Sequence, residues 1–246
     1  MSPRTLEGKT YWLVGASEGL GRELARELHR MGVHLILSAR NEERLQELAS
    51  ELEGAKVLPM DVTDTESVRA AMAEAGHADG MIYSVGLYEP MRAQEWDPEM
   101  VERVADANFM GALRVLGRLM PGWVERRSGH IVLIGSLAAF KGLPGSIGYG
   151  ASKAALRHLA EDMYLDLQGT GIDVQVANPG FIRTRLAEKN SFTMTQLMEP
   201  AEAARRVMTL IRNPEPRQIS FPRPFSLVFT VLGRWLPFRL YAKLVS

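Results

Sequence analysis

The chain has 246 residues, a length at which one α/β unit can bury a single large core. Its 29 basic and 29 acidic side chains cancel, which argues against the basic excess of a nucleic-acid protein, and 46% apolar with 24% charged residues excludes a disordered chain. Cysteine is absent, so disulfides, thiol nucleophiles and thiolate metal sites are excluded as well.

The first residues, Met1-Ser2-Pro3-Arg4, lead into no apolar core with a small-residue cleavage site, and a cytoplasmic protein is expected. Compact apolar runs at 10–14, 33–37, 56–60, 80–84, 130–134 and 173–177 predict buried strands, with a last strand at 218–221. Helical spacing connects them. Leu20, Leu24, Ala25, Leu28 and Met31 share one face, as do Leu45, Leu48 and Leu52. Residues 98–127 predict one long helix, 149–168 another ended by Gly169 and Gly171, and Glu199-Pro200 opens a late one. Strand alternating with helix implies parallel pairing, hence one doubly wound α/β sheet with helices on both faces.

Between the first strand and helix stands Gly15-Ala16-Ser17-Glu18-Gly19-Leu20-Gly21. Glycines there permit a tight turn and close backbone approach, and free N–H groups at a helix start attract a pyrophosphate. The competing reading is a plain strand-to-helix turn. The second strand ends in Ser38-Ala39-Arg40-Asn41, without the acid that would hold the ribose hydroxyls of NAD. Arg40 instead offers a charged fork for the 2′-phosphate of NADP, or else is a solvated loop charge. Glu18 would oppose that phosphate if it pointed inward.

Tyr149 and Lys153, four apart, share a helix face; Ser136 ends the strand before them and Asn108 lies inside the long helix. At these residues the sequence resembles the short-chain dehydrogenase/reductase family, over residues 8–221. The glycine loop is matched by Gly15, Gly19 and Gly21, the adenine-contacting Asp-Val pair by Asp61-Val62, and the Asn-Ser-Tyr-Lys tetrad by Asn108, Ser136, Tyr149 and Lys153. Pro179-Gly180 and Thr184 match the segment beside the nicotinamide amide. Two departures stand out: Val14 replaces the usual Thr, and Ser84-Val85-Gly86 replaces Asn-Ala-Gly.

The resemblance implies a Rossmann-like single domain, with residues 1–221 forming the NADP-binding and catalytic part and 222–246 an extension. A nicotinamide cofactor, NADP(H) in preference to NAD on the reading of Arg40, is expected to be held by Gly15, Ser17, Glu18, Gly19, Leu20, Gly21, Arg40, Asp61, Val62, Ser84, Gly86, Asn108, Tyr149, Lys153, Pro179, Gly180, Ile182 and Thr184. A homodimer or homotetramer packed through the two long helices is implied too, although Met110, Leu113, Leu116, Leu156 and Leu159 serve equally as core.

Reducing a ketone puts negative charge on oxygen, so the site needs a proton donor and a fixed hydrogen-bond donor. Tyr149 is the candidate acid and Ser136 the orienter. A phenol's ordinary pKa lies near 10, and a nearby Lys153 ammonium would lower it. By resemblance Lys153 also bonds the nicotinamide ribose and Asn108 holds a water in a proton relay. The other class of reading is a nucleotide-binding regulatory or scaffold protein without turnover. His29, His34, His77, His130 and His158 show no metal-ligand spacing, and no metal is expected.

By resemblance, Leu87, Tyr88, residues 137–148 and residues 185–200 wall the substrate cleft. Phe140, Leu143, Phe192, Met194, Leu197 and Met198, with Lys141, Arg185 and Lys189 nearby, suggest a small lipophilic ketone or aldehyde, or ordinary lid packing. Residues 218–246 contain no acid but carry Arg223, Arg234, Arg239 and Lys243, with Leu227, Val228, Val231, Leu232, Trp235 and Leu236 at helical spacing. Such a basic amphipathic segment fits packing on a partner subunit, covering the pocket, or lying on an anionic membrane. Its uncharged stretch is roughly half of what a spanning helix needs, and no span is predicted.

Overall fold

A computed structural model describes residues 2–189, 194 and 196–245. Seven parallel strands form one sheet in the order β3-β2-β1-β4-β5-β6-β7: β1 Thr10–Val14, β2 His34–Ser38, β3 Lys56–Val57, β4 Gly80–Tyr83, β5 Gly129–Ile134, β6 Ile172–Pro179 and β7 Gln218–Phe221. Helices α1 Gly19–His29, α2 Glu42–Glu51 and α7 Pro200–Arg212 cover one face. On the other lie α3 Thr65–Ala75, α5 Gly111–Arg126 and α6 Ile147–Asp166. Alternate side chains of one strand serve the two layers, Tyr11 and Leu13 packing on the first and Trp12 and Val14 on the second. The doubly wound expectation is met.

The strand ends differ from the predicted ones by a residue or two, except at β3, where only Lys56–Val57 pairs with β2 in place of five expected residues. Met60 still donates its N–H to the Ala39 carbonyl at 3.0 Å, so the chain follows β2 past the end of regular pairing. Buried polar side chains tie the strands together. Trp12 Nε1 donates to Ser38 Oγ at 2.8 Å, which donates to the Leu58 carbonyl at 2.6 Å. His130 lies between the Tyr11 hydroxyl and Gln175 Oε1, at 2.7 and 2.8 Å, so its role is structural. Of the four leucines and one methionine left between core and interface, Leu116 and Leu156 are core, whereas Met110 is exposed.

The expected long helix is three segments in line. α4, Pro98–Ala105, is capped by the Asp97 carboxylate; a wider π turn follows at Asp106–Met110, and α5 continues from Gly111. Such a turn, one residue wider than an α-turn, redirects the side chain it carries. Here that residue is Asn108.

Candidate active site

Strand order reverses between β1 and β4, and at such a point a crevice opens beyond the carboxyl ends of the strands. A cleft of about 1480 Å³ occupies that place. Its floor at the β1 end is the glycine loop. Gly15 and Gly19 hold φ of +91° and +56°, and a Cβ on Gly21 would sit 2.0 Å from the Gly15 carbonyl oxygen. Only glycine fits this turn, which brings bare backbone to the start of α1. A cradle so built suits a pyrophosphate, and the residues present therefore fit a dinucleotide.

The cleft surface includes Gly15, Ser17, Glu18, Gly19, Leu20, Gly21, Arg40, Asp61, Val62, Ser84, Gly86, Ser136, Tyr149, Lys153, Pro179, Gly180, Ile182 and Thr184. These are all but one of the expected site residues. Arg40 is exposed at the rim, and among the described residues its guanidinium has no ion pair. Glu18 does not oppose it: its carboxylate is taken by Arg44 at 2.6 Å and Arg185 at 2.8 Å. That bridge joins the glycine loop to α2 and to the segment after β6. Arg44 was missing from the expected set; Arg185 was expected beside the substrate cleft, and its partnership with Glu18 spans 167 residues. The pairs are half exposed and contribute little to stability.

The exception is Asn108. It is fully buried behind the cleft wall, with Oδ1 accepting from Leu87 N at 2.7 Å and Nδ2 donating to Leu87 O at 2.9 Å and to Ser152 Oγ at 3.0 Å. Its amide braces the segment after β4: both amide hydrogens are engaged, while Oδ1 keeps one acceptor site beyond the Leu87 N–H.

Tyr149 follows a bend in α6 at Gly148. Its ring meets that of Tyr88 edge-on at 5.1 Å, and it lines the same cleft as Ser136. Burial pushes the phenol above its ordinary value; the Ser136 contact opposes this. The expectation that Lys153 depresses it is not met here. Lys153 Nζ lies 5.9 Å from the Tyr149 ring centroid and donates to the Val85 and Ile134 carbonyls at 3.0 and 2.9 Å. Burial lowers the ammonium itself to about 7.

The substrate end differs from expectation. Leu87, Tyr88, Leu137, Leu143, Arg185 and Leu186 line the cleft. Phe140 turns away beneath the Arg157 guanidinium, at 4.6 Å, and Met198 is buried in the core between β6 and α7. Lys141 reaches the C-terminal segment, Lys189 pairs with Glu89, and Met194 and Leu197 are not in the lining. Phe192 lies outside the described residues. Three aromatic rings were missed: Phe181, Phe225 and Phe229 stack in sequence, 5.7 and 5.1 Å apart, and form a wall of the cleft. The last two come from the C-terminal segment. Among the described residues no group of His, Asp and Glu is placed to hold a metal.

A parallel sheet with a glycine cradle at its switch point and Ser, Tyr and Lys beside it defines a nucleotide-binding α/β protein equipped for proton transfer. The family described as short chain dehydrogenase matches residues 9–194. An uncharacterized oxidoreductase of Myxococcus xanthus is 36% identical over 242 residues, 95% of this chain and 94% of that one. Alcohol dehydrogenase from the archaeon Thermococcus sibiricus, complexed with 5-hydroxy-NADP, superposes with a TM-score of 0.78 at 25% identity, over 88% of this chain and 98% of its own. A short chain dehydrogenase from Burkholderia cenocepacia in complex with NADP shares the fold at 23% identity, with a TM-score of 0.86 over 99% and 100% of the two chains. The chain belongs to the short-chain dehydrogenase/reductase family and is an oxidoreductase of that family.

Proposed function

We propose that the protein interconverts a lipophilic ketone or aldehyde and the corresponding alcohol, using NADP(H), with Tyr149 as the acid and base. The observation that carries this is the convergence of Ser136, Tyr149 and Lys153 on the cleft that also holds the glycine cradle. When bound, the nicotinamide supplies or accepts the hydride. The remaining work falls to the chain. Ser136 and Tyr149 present two hydroxyls to one carbonyl oxygen and polarise it. Because burial holds the phenol protonated at neutral pH, Tyr149 can give its proton to the oxygen as charge develops there. Lys153, anchored on Val85 and Ile134, keeps an amine donor at the floor of the site. Asn108 fixes the backbone at Leu87, one wall of the substrate space.

Two features support the cofactor and substrate class. Among the described residues Arg40 has no ion pair, and it stands at the end of the second strand where an acid would favour NAD. The reacting end is walled by Leu87, Leu137, Leu143, Leu186, Phe225 and Phe229. A screen of ketones and aldehydes of increasing chain length, followed by NADPH absorbance, tests both. Turnover is expected to rise with chain length; no turnover on any carbonyl would favour a silent binding protein.

Arg40→Ala is expected to weaken NADPH binding by about tenfold to a hundredfold, the worth of a charge-assisted hydrogen-bond pair, and to leave NADH nearly unchanged. Fluorescence titration of both cofactors measures this. An equal loss for each would remove Arg40 from the phosphate site.

A further inference from the structure

Residues 218–246 contain no carboxylate, and Arg223, Arg234, Arg239 and Lys243 make them cationic. The structure divides the side chains of this segment between two directions. Phe225 turns inward onto Phe181 and Phe229 packs on Phe225, and Tyr241 is buried with its hydroxyl donating to the Gly142 carbonyl at 3.0 Å. Lys141 Nζ donates to the Gly233 and Leu236 carbonyls and lies 4.8 Å from the centre of the Tyr241 ring. The segment is therefore pinned to the loop that walls the cleft.

Its outer side is apolar. Leu227, Val231, Leu232, Trp235, Phe238 and Leu240 are six of the ten large apolar side chains exposed among the described residues, with Trp235 80% and Phe238 68% exposed. Arg223, Arg239 and Lys243 are exposed in the same segment. An apolar cluster of this kind in a water-facing position marks a contact surface. Charge selects what covers it. A second copy docking through the same patch would set an acid-free cationic surface against itself, which costs energy. An anionic bilayer supplies phosphate for the basic groups and an interface in which Trp and Phe rings settle.

We propose that residues 222–245 dock the protein on the surface of an anionic lipid membrane, with Trp235 and Phe238 entering the headgroup layer. Contact is interfacial, since no helix among the described residues is long and apolar enough to cross a bilayer. Because Phe225 and Phe229 wall the cleft from within the same segment, docking would bring that wall to the lipid, where a lipophilic carbonyl partitions. This consequence rests on the function proposed above; the docking does not.

Co-sedimentation of the full chain with vesicles tests it, using phosphatidylcholine alone and phosphatidylcholine mixed with an equal share of phosphatidylglycerol. The protein is expected to pellet with the mixed vesicles, less so at high salt, and to remain in solution with the neutral ones. The triple variant Leu232→Ser, Trp235→Ser, Phe238→Ser changes exposed positions only, and retained cofactor binding reports its fold. It is expected to partition at least about tenfold more weakly. Arg239→Glu with Lys243→Glu is expected to do likewise and to abolish the salt dependence. Absent pelleting of the unaltered chain with mixed vesicles, or pelleting that the triple variant leaves intact, overturns the proposal. A lipid-independent dimer that the triple variant dissociates assigns the patch to a second copy instead. Turnover of water-soluble carbonyls is read separately, so failure of docking and failure of the proposed activity are distinguishable.

Discussion

Tyr149→Phe is expected to lower kcat for carbonyl reduction by about two to four orders of magnitude, the range that a positioned general acid supplies. Cofactor affinity should change by no more than about twofold, because the substitution removes one oxygen and keeps the ring. That ring still meets Tyr88 edge-on, and Lys153 still has its two carbonyl partners, so the cleft wall keeps its shape. The lost atom is the proposed proton donor, on the cleft that Ser136 also lines. Steady-state NADPH oxidation gives the rate, and fluorescence titration gives the affinity. A scaffold that binds nucleotide without turnover would show neither rate nor change. Ser136→Ala should produce a smaller loss, since the phenol remains, and the two substitutions together should cost less than the sum of their separate effects.

What was readable before the fold, and what was not, divides by sequence distance. The glycine loop, the strand runs and the Tyr149–Lys153 pair are local patterns, each set by backbone freedom or by period, and each lies where expected. The Asn108 contacts depend on a π turn and on partners 21 and 44 residues away, and nothing in its neighbours announces either. Whether Glu18 opposes a phosphate depends on where it points, and that is decided by Arg185, 167 residues along the chain, which holds its carboxylate. Helix α3 escaped notice because its buried face is small, Val68, Ala71 and Ala75, although Asp64 caps it. The C-terminal segment was recognised as basic and amphipathic, yet its division into a cleft wall and an outward face depends on Lys141 and Gly142, roughly a hundred residues earlier. Short β3 belongs to the same class: a five-residue run suggested five paired residues, but regular pairing ends after two although the chain still follows β2 to Met60.

Replacing the buried lysine should change the pH dependence of stability, and the direction follows from its position. Lys153 has only 2% of its surface exposed, and burial lowers its ammonium from 10.5 to about 7. Between those values the unfolded chain keeps a proton that the folded one has released. Unfolding then takes up a proton, so stability rises with pH through this window and is lost as pH falls toward 7, below which both states are charged. The full swing would be about 5 kcal/mol at most. Tyr11, Tyr83 and Tyr149 are all raised by burial and act in the opposite sense, but only above the ordinary phenol value near 10. Urea unfolding of the cofactor-free protein from pH 7 to 9.5 therefore isolates the lysine. Lys153→Met is expected to flatten the rise seen in the unaltered chain over this range. It also leaves the Val85 and Ile134 carbonyls without that donor, costing about 1–3 kcal/mol for each one left unsatisfied. That cost is independent of pH and displaces the curve without altering its slope. Parallel curves for the two proteins would mean that Lys153 keeps its ordinary pKa in the fold, and that the floor of the site is wetter than its packing indicates.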